Sequence, residues 1–129
     1  MADDLVVAPS RHDVPTTVRR LTAALDRRGI RLFAVIDHGA GAAEVGLELP
    51  DEVVLVFGAA RVGTLLMQAD PRAGLDLPLR TLVWSQDGGT DVAFRDPRAL
   101  AGDFALAGRS DTLDQLHGVL EELVREATT

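Results

Sequence analysis

The chain has 129 residues, 47% of them apolar, and a formal net charge of −7. That length suits one domain around one core, and the acidic balance counts against nucleic acid and anionic membranes, which both call for a basic face. Cysteine, lysine and tyrosine are absent, which excludes disulfides, thiolate metal ligation, lysine Schiff bases and a P-loop lysine.

Met1-Ala2-Asp3-Asp4 is acidic where a signal peptide is basic. No run approaches the roughly 18 apolar residues of a membrane span. The chain is therefore expected to be cytoplasmic and to keep off membranes. Leu5-Val6-Val7-Ala8, stopped by Pro9 and Ser10, reads as a strand at a sheet edge. Asp13 caps the next helix, with Pro15 in its first turn. Val14, Val18, Leu21 and Leu25 form its apolar stripe, Arg19, Arg20, Arg27 and Arg28 lie opposite, and Gly29 stops it. Residues 30–36 form a strand with Ile30, Leu32, Ala34 and Ile36 on one face and Phe33 and Val35 on the other. A strand apolar on both faces is expected at the centre of a sheet.

Polarity returns at Asp37-His38. Residues 39–46 are small and suit one or two helical turns, and Pro50-Asp51 is a turn. Val53-Val54-Leu55-Val56-Phe57 is an uninterrupted apolar strand of buried type, ending at Gly58. Val62, Leu65, Leu66 and Ala69 recur at helical spacing, and Asp70-Pro71 ends that helix. Residues 73–79 read as a loop. Residues 80–86 and 90–95 flank Asp87-Gly88-Gly89, the best hairpin signal in the chain, with Trp84 and Phe94 expected on one face. Asp96-Pro97 opens a short helical stretch to about residue 104. Ser110 is expected to cap a terminal helix over about 110–126, whose Leu113, Leu116, Leu120 and Leu123 pack on the sheet rather than forming a dimer seam. No repeat or linker interrupts residues 1–129. The pattern predicts one α+β domain, a mixed sheet of about five strands packed against helices.

Several of these stretches fall into one family's order. Asp13-Val14-Pro15-Thr16-Thr17, Phe33-Ala34-Val35-Ile36-Asp37-His38, Ala43-Glu44-Val45-Gly46-Leu47, Gly63-Thr64-Leu65-Leu66-Met67 and Leu75-Asp76-Leu77-Pro78-Leu79-Arg80 succeed one another. In this the chain resembles the domain of unknown function 302 family of bacteria and archaea over about residues 5–105. The resemblance implies a β-α-β sandwich similar to the TATA-binding-protein-like fold, often a homodimer, and no established activity. Where the family commonly has Phe-Gly-Asn-Pro, this chain has Phe57-Gly58-Ala59-Ala60, without the amide.

The residues that could carry chemistry are few. An Asp can orient an imidazole, so Asp37-His38 at a strand end could make His38 an acid–base group. Adjacent strand residues point to opposite faces, however, and Asp37 could simply cap the following turn. The three histidines show no metal-ligand spacing, and the serines lack a nucleophile elbow. Gly58 to Thr64 could present amides to an anion, or merely reverse the chain. Arg80 could clamp a carboxylate, or pair with Asp76 or Asp37. Met67, Phe33, Phe57 and Trp84 could line a pocket, though plain core is the commoner fate of such residues. The leading expectation is a non-catalytic homodimeric domain that binds a small molecule or a protein in a cleft rimmed by Asp37, His38, Gly58, Thr64 and Arg80. It needs no metal and no cofactor. The alternative is an enzyme with His38 as acid–base and Arg80 as anion clamp. Nucleic-acid binding, suggested by fold analogy alone, runs against the charge.

Overall fold

The computed structural model describes residues 4–129; Met1, Ala2 and Asp3, part of the acidic N-terminus read above, lie outside them. The first strand, β1 (Leu5–Ser10), leads into α1 (Val14–Arg27). Asp13 caps this helix as the sequence implies: its Oδ1 accepts the Thr16 N–H at 2.9 Å. Val14, Thr17, Leu21, Ala24 and Leu25 form the buried stripe. Gly29 adopts φ +66°, which lets the chain turn directly into β2 (Arg31–Asp37). After β2 come α2 (His38–Glu44), β3 (Glu52–Gly58) and α3 (Ala60–Ala69). A 3₁₀ segment, Pro71–Asp76, occupies the region read as a loop. Then β4 (Leu79–Gln86) and β5 (Gly89–Arg95) form the hairpin. Asp87 and Gly88 both have positive φ, the two-residue turn whose twist matches the flanking strands. Short 3₁₀ turns and α4 (Leu100–Asp103) precede α5 (Ser110–Thr128).

Ser110 is the first helical residue rather than the cap. The 3₁₀ turn Ala107–Arg109 runs straight into α5, so Ser110 is already helical at φ −58°, ψ −37° and its hydroxyl makes no capping bond.

The strands form one five-stranded sheet in the order β1-β5-β4-β3-β2. The α+β class and the strand number agree with the sequence reading, but every neighbouring pair is antiparallel where a mixed sheet was expected. The β1-α1-β2 unit does run two strands in the same direction. They never pair, because β5, β4 and β3 insert between them. The same insertion puts β2 at an edge, not at the centre.

Helices α1 and α5 cover one face of the sheet. Leu55 and Phe57 of β3, Val83 of β4, and Val92 and Phe94 of β5 pack there against Leu21, Leu25, Leu120, Leu123 and Val124. The arginines opposite the α1 stripe bind the two helices together: Arg28 reaches Glu126 at 2.7 Å and Glu122 at 3.0 Å, and Arg27 reaches Glu126 at 3.1 Å. A smaller core of Leu66, Ala73, Leu106 and Leu113 joins α3 and the 3₁₀ segments to the start of α5. Asp70 fastens it. Its carboxylate accepts the Arg72 guanidinium at 2.8 and 3.1 Å, the Arg72 N–H at 3.0 Å and the Ala105 N–H at 2.9 Å. Arg72 first, and the Ala105 amide second, hold this carboxyl well below the usual carboxylate range.

Candidate functional site

The strand register divides the side chains between two faces. Opposed residues in an antiparallel pair share a face. Leu55, Thr81, Phe94 and Val6 stand in one row toward the helices. The next row, on the other face, is Ile36–Val54–Leu82–Ala93–Val7, one residue from each strand and every one apolar. Helices α1 and α5 lie on the opposite face, and Ala93, in the middle of the row, is itself buried between its neighbours at 5% exposure. Ile36 is 46% exposed and Val7 50%. The middle of the row borders a broad, half-open depression of about 960 Å³ that takes in Val56, Trp84, Arg80 and His38 and continues round the sheet end to Phe94, Leu100 and Leu120.

Charge flanks the row unevenly. On one side Arg80 and Arg95 project from this face. On the other, Glu52, Trp84 and Asp91 are consecutive partners. Arg95 is paired with Asp4 at 2.7 Å. Arg80 forms no ion pair with Asp76 or Asp37, so neither structural bridge considered for it is made. Asp37 could not reach it within the sheet: its partner is Val53, which belongs to the helix-covered face, whereas Arg80 pairs with Val56 on the open one.

The five candidate residues thus separate. His38 and Arg80 border the open-face cavity. Asp37 lines neither cavity, and its Oδ1 accepts the Ala40 N–H at 2.8 Å, capping α2. Gly58 and Thr64 lie elsewhere, in a smaller cavity of about 280 Å³ between β3, α3 and the 3₁₀ segment. His38 is exposed on the first turn of α2.

The aromatic and methionine positions also divide. Phe57 is core at 1% exposure, as expected. Phe33 occupies a β-bulge between Leu32 and Ala34, is 46% exposed, and lines the smaller cavity with Met67. Arg31 lies over its ring, 5.1 Å from the centroid. Trp84 faces the open cavity and pairs with Asp91, while Phe94 pairs with Thr81 on the helix face, so the two do not share a face.

Sequence reasoning passed over the apolar row itself. Its signal was present: residues 53–57 and 32–36 are apolar without alternation, yet in the fold α1 and α5 cover only one of their faces. No group of three His, Asp or Glu side chains suited to a metal occurs among the described residues. His117, half-buried against Phe94, lies 3.3 Å from Asp96 and 3.2 Å from Glu121, where it links α5 to the end of β5.

Comparison with known proteins gives a consistent family. The model of the family described as "Domain of unknown function DUF302" matches residues 6–123, extending past the stretch of resemblance into α5. A crystal structure of an uncharacterized conserved DUF302 protein from Bacillus stearothermophilus superposes with a TM-score of 0.89 over 98% of this chain and 99% of that one. It is 16% identical, so it speaks for the fold alone. Among curated proteins, "Fluoride-specific ion channel FluC 1" of Brucella suis biovar 1 (strain 1330) is 43% identical over 109 residues, 83% of this chain and 42% of that protein. The protein of the same name in Brucella abortus biovar 1 (strain 9-941) matches equally well over 40% of its length. The chain thus spans about two-fifths of these relatives. No described helix is long and apolar enough to cross a membrane.

Proposed function

We propose that this chain, which belongs to the DUF302 family, is a non-catalytic cytoplasmic binding domain that pairs with a second copy of itself through the open face of its sheet. One observation carries this reading: the apolar row Ile36–Val54–Leu82–Ala93–Val7 crosses all five strands on the face opposite α1 and α5, with its two ends about half exposed. An antiparallel sheet that faces water alternates apolar and polar residues, whereas one apolar on both faces is normally covered on both. The footprint is adequate. Five strands about 4.8 Å apart and about 20 Å long give roughly 500 Å² of sheet. That is the larger part of the ~800 Å² per partner of stable interfaces.

The flanking charges favour a second copy over an unlike partner. A two-fold axis along the apolar row carries the Arg80 side of one copy over the acidic side of the other. Arg80 then falls over Trp84 of the second copy, between its Glu52 and Asp91. The same face is complementary to itself, as an isologous interface requires. An axis along the strands would set Arg80 over Arg80. The test is cross-linking of a single-cysteine variant: Leu82→Cys should be joined to its own copy by a short bis-maleimide, because Leu82 meets its own copy across this axis and the facing sheets lie about 10 Å apart. A Leu82→Cys protein that stays monomeric would sink the reading.

The enzyme alternative is weaker. It needs His38 held beside an orienting carboxylate, but Asp37 spends its Oδ1 on capping Ala40, and His38 is exposed. A second binding reading rests on the Brucella relatives, in which the matched part is about two-fifths of proteins named for a fluoride-specific channel. There the domain would dock beside a channel or sense its ion. Titration with sodium fluoride against sodium chloride, followed by amide resonances, separates the two: saturable shifts specific to fluoride favour sensing, and none are expected from the dimer reading.

A further inference from the structure

We infer that the smaller cavity between β3, α3 and the Pro71–Asp76 segment is a binding site for a small, neutral, apolar molecule, a site separate from the open sheet face. Phe33, Leu66, Met67, Leu77 and Leu116 supply its walls, and no charged side chain lines it. The one side-chain polar group there is the Thr64 hydroxyl. No side chain in the lining offers a counter-charge, so burying a charged group against these walls would cost hydration that a neutral molecule keeps. A neutral molecule with one hydroxyl could bury its hydrocarbon and keep a hydrogen bond to Thr64. At about 280 Å³ the cavity is roughly twice the ~150 Å³ space that takes up benzene, which suits an aliphatic chain of about eight carbons or a fused two-ring compound.

Glycines hold this space open. Gly58, Gly63 and Gly74 all line it. Gly63 lies inside α3, where glycine is the poorest helix former after proline. No fold requirement explains it. A Cβ there would touch only Met67 Cε, at an ordinary 3.8 Å. Gly74 is tighter, since a Cβ would come 3.1 Å from Met67 Sδ, a wall of the cavity that would have to shift. Both positions keep side-chain volume out of the groove, whose walls Phe33 and Met67 stay partly exposed. Packing against Met67 accounts for Gly74, and a site that takes up a ligand accounts for Gly63.

The test is titration of the full chain with octan-1-ol, read by amide resonances. Saturable shifts at Gly58, Gly63, Thr64 and Gly74 are expected. Octanoate, the charged counterpart, should bind at least tenfold more weakly. Gly63→Leu should weaken octan-1-ol at least tenfold. Met67→Phe, at a side chain already 38% exposed, gives the same readout should the leucine variant fail to fold. No saturable shift with octan-1-ol would overturn the inference and would mean that Met67 closes the cavity in solution. Octanoate binding as tightly as octan-1-ol, or unchanged octan-1-ol affinity in a folded filling variant, would overturn it too.

Discussion

Val54 and Leu82 are direct partners across β3 and β4, and both side chains point away from the two helices that cover the other face. They are the middle of the row that runs from Ile36 to Val7. One residue further along β3, Leu55 is fully buried beneath α1 and α5. Adjacent residues in one strand therefore serve two different layers, one supplied by this chain and one assigned here to its second copy.

That division predicts opposite effects of truncation on the two faces. Phe57→Ala removes a fully buried ring and should cost about 3–5 kcal/mol in denaturant unfolding. Val54→Ala should cost less than about 1 kcal/mol in the dissociated chain and should weaken self-association instead. Unfolding midpoints measured at low and high protein concentration separate the two terms, because only loss of the dimer depends on concentration.

Charge reversal tests the direction of the two-fold axis. Arg80→Glu should weaken dimerisation roughly three- to tenfold, the scale of a rim charge pair. Adding Glu52→Arg to it should recover most of the loss. Sedimentation equilibrium of the two variants checks this. Failure of the double variant to recover would put the axis elsewhere on the face.

With a formal charge of −7 on each copy, two chains repel at long range while their apolar faces attract. Dimer affinity should rise between about 0.05 and about 0.5 M sodium chloride as the repulsion is screened. An interface held mainly by ion pairs would weaken over that range.

Asp37 and Asp70 have distinct structural tasks. Asp37→Ala removes the α2 cap and should cost about 1 kcal/mol, leaving the dimer unchanged. Asp70 holds Arg72 and the Ala105 amide, so Asp70→Asn should lower the melting temperature by several degrees at pH 7. The sign with pH follows from a folded carboxyl held below its unfolded value. Its stabilisation is fully present above about pH 4 and is lost as pH falls below that. The gap between wild type and Asp70→Asn should therefore narrow toward pH 2, which thermal melts in a pH series measure.

Most elements could be read from the chain because each has a local cause. Asp13 caps α1, Gly29 ends it, and Asp87-Gly88 sets the hairpin. The strand order could not be read locally. Nothing within residues 30–36 says that three later strands insert beside them, so apolarity on both faces implied a central strand when β2 is in fact an edge. Ser110 misled for a related reason: a good capping residue is used as a cap only if the preceding chain is extended, and here it is a 3₁₀ turn. The candidate site was legible as residue types but not as a grouping. His38 and Arg80 share one cavity, Gly58 and Thr64 another, and Asp37 neither, because side-chain direction depends on register and bulges such as that at Phe33.

Sedimentation velocity of the wild-type chain beside Leu82→Glu tests the open face most directly. The wild type should sediment at twice the chain mass, and Leu82→Glu at the single-chain mass with an unchanged circular dichroism spectrum. A wild type that remains a single chain at high concentration and high salt, or a Leu82→Glu variant that still dimerises, contradicts the assignment.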